Sequence, residues 1–174
     1  MKELSFYRVI TYILVPFASI LGIMDLFMIP SALGNPSILF SVFLLATFCI
    51  YVFASLIFLV RHIDQNKHAK HSLKDWVKVN AYASFFLGIQ FLVSAVGIFY
   101  MPQHELSDYI DKFLGTQANM PSNINTALFI KIMRGVAYFL FFFSFLLIVH
   151  VTMGLRLLKK YAYLFNDEPT STEE

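Results

Sequence analysis

Four apolar stretches, each long enough to cross a bilayer, divide this chain, and the polar segments between them carry their positive charges almost entirely on alternate sides. A helix needs roughly 20 predominantly apolar residues to cross about 30 Å of hydrocarbon, because each residue rises only about 1.5 Å. Segments 9–29, 37–60, 81–100 and 128–155 meet that length. Lipid offers no partner to a bare backbone N–H or C=O, so each span must close its hydrogen bonds within itself. Strands would instead alternate polar and apolar residues over segments of about 10 residues. The sequence shows no such alternation. The chain is 58% hydrophobic and 14% charged, where a soluble domain has about 45–50% and about 25%. The expected fold is an all-α membrane protein: an antiparallel four-helix transmembrane bundle, with residues 1–165 as a single four-span domain and 166–174 as a disordered acidic tail.

Cytoplasmic loops carry the excess of Lys and Arg, so the flanks orient the chain. Lys2 and Arg8 precede the first span; Arg61, Lys67, Lys70, Lys74 and Lys78 lie between the second and third; Arg156, Lys159 and Lys160 follow the fourth. Opposite them stands Lys112, joined at most by Lys131 and Arg134 at the start of the fourth span. Both termini are therefore expected in the cytoplasm, and an even number of spans independently requires them to share a side. The first apolar run exceeds a signal-peptide h-region of about 7 to 15 residues and lacks a small-residue cleavage site, so it is read as a span. Short loops fit a bacterial inner membrane better than a eukaryotic organelle.

Pro30, Gly34, Asn35 and Pro36 predict a compact outer turn, which makes spans one and two a hairpin. Ser72 with Asp75 three residues on resembles a capping box opening the third helix. Trp76, Tyr7, Tyr100, Tyr161 and Tyr163 sit where an aromatic belt would place them. In the second outer loop, Leu106, Tyr109, Ile110, Phe113 and Leu114 recur at helical spacing and predict an amphipathic surface helix. Its opposite face carries His104, Asp108 and Asp111, which a helix lying on a membrane needs as a polar face; no metal site is assigned. Pro16 is expected to interrupt the hydrogen bonding of the first helix, and the Phe139 to Phe145 run to pack and to face lipid. Ser41, Thr47, Ser55, Ser84, Ser94 and Ser144 are read as interhelical hydrogen-bonding groups, and the Ala18/Gly22 pair as a close-packing face.

Ionisable groups inside spans cost several kcal/mol unless paired, wet or able to reach the headgroups, so they are the candidate site residues. Asp25 lies five residues before Pro30, roughly 7 Å inside the outer end of the first span. Lys131 and Arg134 are three apart on one face of the fourth span at comparable depth, and Gln90 falls near the middle of the third. The expectation is that Asp25 pairs with Arg134, whose planar fork holds a carboxylate bidentately, with Lys131 nearby or reaching the headgroups. Snorkelling cations beside a wet Asp25, and a transport or ligand site, are the competing readings. His150, near the inner end of the fourth span, is the histidine within the spans and would need a second axial ligand to hold haem. The single Cys49 forms no intrachain disulfide.

No nucleophile–base pair, ligand set or nucleotide motif accompanies this pattern, so no catalytic, cofactor or metal residue is assigned. Basic residues gathered at membrane ends match anionic headgroups rather than nucleic acid. The partners expected are the lipid bilayer and another membrane protein or a second copy of the chain. The function expected is that of a noncatalytic accessory or self-associating component, with a small oligomeric transporter using Asp25, Arg134 and Gln90 as the alternative. Exchanging the charges in Asp25→Arg/Arg134→Asp should restore the membrane protein level that each single change lowers, as measured by quantitative immunoblotting. Tolerated single changes with no rescue would dismiss the pair.

Overall fold

The computed structural model describes residues 2–115 and 126–165, and the expected 166–174 tail lies outside them. Its helices are α1 (Lys2–Ala32), α2 (Pro36–Ile57), α3 (His71–Tyr100), α4 (Gln103–Gly115) and α5 (Thr126–Lys160). A π-helical turn, Phe58–Ile63, prolongs α2, and a 3-10 turn, Ala162–Phe165, follows α5. The fold is all-α among the described residues: four long apolar helices packed antiparallel, plus the short α4. Each expected span falls inside one long helix. The residues group into two compact units, 2–87 with 146–165, and 88–115 with 126–145.

In the first unit the α1–α2 turn forms as the Pro/Gly spacing predicts. Asn35 N–H donates to Ala32 O at 3.0 Å, and Asn35 Oδ1 accepts from Ser37 N at 3.0 Å and Ile38 N at 3.5 Å. Pro36, the first helical residue, has no N–H to leave unsatisfied and a φ already set for a helix. The α1 helix continues through both Pro16 and Pro30. Tyr7, Thr11, Leu14 and Ala18 form one buried stripe of α1 at helical spacing. Ala18 and Gly22 do make a close-packing face: Cys49 Sγ donates to Ala18 O at 3.3 Å, and a Cβ added to Gly22 would stand 3.4 Å from that sulfur.

The π-turn at the end of α2 was not legible beforehand. It buries Phe58, Leu59 and Ile63 and is closed by Asp64 N–H donating to Leu59 O at 3.0 Å. Asn66 then takes a left-handed φ of 48°, which Asn tolerates better than most residues. Arg8 Nη2 donates to Asp64 Oδ1 at 2.5 Å, Ala69 N–H donates to Leu164 O at 2.8 Å, and Phe58 stacks on Phe165 at 5.5 Å. The start of α1, the 64–70 loop and the 162–165 turn therefore meet at one end of this unit.

Two local expectations are corrected here. The third long helix begins at His71, so Ser72 is its second residue and the Ser72/Asp75 capping box does not open it. Ser41, Thr47 and Ser144 donate to carbonyls of their own helices (Ser37, Leu44 and Phe141), not across helices. Those carbonyls, three or four residues back, are the nearest acceptors any helical hydroxyl has.

In the second unit α4 is present, but its apolar face is divided. Leu106 and Ile110 are buried against Ile130, flanked by Met101, Phe129 and Met133, whereas Tyr109 and Phe113 remain exposed. Of the four described side chains on that face two thus pack on protein, and the side chain of Leu114 lies outside the description. Asp111 accepts from the Thr126 hydroxyl at 3.1 Å. The phenylalanine run both packs and projects, as expected: Phe143 is buried beside Phe91 and Phe139, while Phe142 and Phe145 point outward. Replacing the α2 cap, Asn35→Ala, should cost about 1 kcal/mol. It should be read as a lowered midpoint of thermal unfolding in detergent micelles; an unchanged midpoint would show the cap to be idle.

Candidate functional site

Among the described residues, a densely connected polar cluster lies inside the first unit and ties α1, α2 and α5 together. His150 on α5 is fully buried. Its Nε2 lies 2.8 Å from Thr11 Oγ1 and its Nδ1 lies 2.9 Å from the Tyr51 hydroxyl. The ring of Tyr7 stacks on the imidazole at 4.5 Å with an interplanar angle of 6°, and Tyr51 meets it edge-on at 5.4 Å. Gly154, one turn further along α5, is necessary for this arrangement. A Cβ there would stand 2.8 Å from the Tyr51 hydroxyl oxygen and 3.3 Å from that of Tyr7.

Either neutral tautomer occupies both ring nitrogens. Thr11 has one hydroxyl proton, and Tyr7 O lies 2.8 Å away to accept it. With its proton there, Thr11 Oγ1 accepts from His150 Nε2–H and Nδ1 accepts from Tyr51; with that proton turned to Nε2 instead, Nδ1–H donates to Tyr51, whose hydroxyl then donates to His150 O at 3.3 Å. Neutral imidazole satisfies every member of this chain. Both ring nitrogens are thereby occupied, so His150 in this arrangement has no lone pair to offer a haem iron. At the edge of the cluster the hydroxyls of Tyr7 and Ser55 are fully buried without a hydrogen-bond partner.

The sequence pointed to His150 but not to its neighbours. Tyr7, expected in an interfacial belt, is instead 0% exposed, because its ring covers the imidazole. Thr11, Tyr51 and Gly154 carried no signal, since the contacts that matter join residues 99 and 139 positions apart. Trp76, Tyr100 and Tyr163 are exposed, consistent with a belt.

The four candidate residues fall in different units. Asp25 is 7% exposed and belongs to the first. It lines a groove of about 450 Å³ between α1 and α2, with Ala18, Gly22, Ala46, Cys49 and Ile50 among its walls. Within that unit no cation or hydrogen-bond donor among the described residues reaches its carboxylate. Gln90, Lys131 and Arg134 belong to the second unit, and all three are exposed on their helices. No group of three or more potential metal ligands occurs among the described residues.

Helices of 31, 28, 30 and 35 residues, each with an apolar window of mean hydropathy 1.8 or above, make this an integral multi-pass membrane protein. No known family, curated protein or solved structure matches the chain.

Removing one partner of a buried hydrogen bond strands the other, whereas replacing all partners by apolar isosteres is nearly neutral. His150→Phe should therefore destabilise the protein by about 2 kcal/mol or more, and Thr11→Val/Tyr51→Phe/His150→Phe should recover most of that loss in micellar thermal unfolding. A triple variant no better than the single one would contradict a purely structural cluster.

Proposed function

We propose that this chain is a noncatalytic membrane component that associates laterally with another membrane protein or with further copies of itself. One observation carries the reading: Asp25, a carboxylate in an apolar groove at membrane depth, has no countercharge in its own unit. A carboxylate so placed gains strongly from a cation brought to it, because hydrocarbon offers neither water nor salt. Arg134, with Lys131 three residues before it on the same helix, is the cation proposed to meet it from a neighbouring chain. By contrast, the His150 cluster spends its polar groups on holding three helices together. The small walls of the groove, Ala18, Gly22 and Ala46, allow a helix to approach closely.

The Lys- and Arg-rich end, where the start of α1, the 64–70 loop and the 162–165 turn meet, is proposed to face the cytoplasm, in a bacterial inner membrane. Native purification in mild detergent should yield either a stoichiometric partner or a discrete multimer, and Asp25→Asn should abolish it while leaving the thermal midpoint of the remaining chain unchanged. A monomeric chain that carries flux in liposomes, with flux lost on Asp25→Asn, would overturn this reading in favour of the transporter.

A further inference from the structure

Beyond Asp25 and the His150 cluster, the first unit has a second unassigned feature, at the basic ends of α3 and α5. Two cavities of about 320 Å³ and about 330 Å³ open there, and both are lined by Tyr82, Leu155 and Lys159, so they form one continuous groove. The segment nearer the helix ends is rimmed by Lys74, Lys78 and Lys159. The segment running toward mid-membrane is walled by Phe85, Val151 and Leu155, with Arg156 beside Lys159. Along α5, Val151 to Lys159 spans about 12 Å, most of the roughly 15 Å of one leaflet's hydrocarbon.

We propose that this groove binds one anionic phospholipid, its phosphate held by Lys78, Lys159 and Lys74 and one acyl chain laid between Phe85 and Val151. The occupant follows from the order of chemistry along the groove: cations at the interface, an amphipathic tyrosine below them, then aliphatic and aromatic walls. No carboxylate lines either segment, and among the described residues none pairs with the four cations. Lys74 is also held in place, its ammonium 5.7 Å from the centre of the Phe165 ring. A diffuse basic surface would need neither the apolar continuation nor a positioned lysine.

The test uses the full chain in neutral detergent, titrated with phosphatidylglycerol, with phosphatidylcholine of the same acyl chains, and with inorganic phosphate. Retained lipid is read by native mass spectrometry and thermal midpoint by fluorescence. Phosphatidylglycerol should be retained one per chain and raise the midpoint, and phosphatidylcholine and phosphate should not. Lys78→Gln/Lys159→Gln should weaken retention on the order of tenfold. Leu155→Trp, which fills the groove and leaves every charge intact, should weaken it as well. Lys67→Gln/Lys70→Gln removes equal charge at the same end but off the groove and should leave retention unchanged. Equal binding of both lipids, a full effect from phosphate alone, or an equal loss on removing Lys67 and Lys70 would each overturn the assignment.

Discussion

Hydrocarbon gives a polypeptide nothing to hydrogen-bond with, and every other feature of this protein answers to that. The backbone answers by forming helices of 31, 28, 30 and 35 residues that satisfy their own amides. The hydroxyls answer by bonding to carbonyls of their own helices, as Ser41, Thr47 and Ser144 do. Where side chains meet between α1, α2 and α5, His150 joins them, with Thr11 on one ring nitrogen and Tyr51 on the other. In such a medium a satisfied network fixes how helices register against each other, because any slip strands several polar groups at once.

The same constraint explains what could be read from the chain beforehand. Span length depends on rise per residue and bilayer thickness, two constants, so the long helices and their number were legible. The α1–α2 turn was legible because Asn35 and Pro36 act on their immediate neighbours. Tertiary choices were not. Tyr7 near a span end looks the same in sequence whether it faces headgroups or covers an imidazole, and Gly154 gains its meaning from Tyr51, a residue on another helix. Ser72 misled for a related reason: as a cap it would make Leu73 the first helical residue, and the helix starts two residues earlier, at His71. For α4 the period was right, but Ile130, which covers Leu106 and Ile110, comes 20 residues after Ile110.

Polar groups at membrane depth thus divide by how they are satisfied. His150 is resolved within three helices of its own unit, whereas Asp25 lies in a groove whose walls are small and apolar. Sequence marked Asp25 because a lone acid in a span is conspicuous, yet it could not distinguish a residue packed among donors from one awaiting a countercharge. The lysines at the basic end present the same ambiguity in reverse. Their sidedness is a matter of counting, but the apolar groove that separates Lys78 and Lys159 from other surface lysines exists only once α3 and α5 are side by side.

Extraction from isolated membranes with alkaline carbonate addresses the central claim most directly, because it strips peripheral proteins and leaves those whose solvent is lipid. The chain should stay in the pellet and enter solution only with detergent. Recovery as a monodisperse, folded species in the surfactant-free supernatant would contradict the assignment of its four long helices to the bilayer.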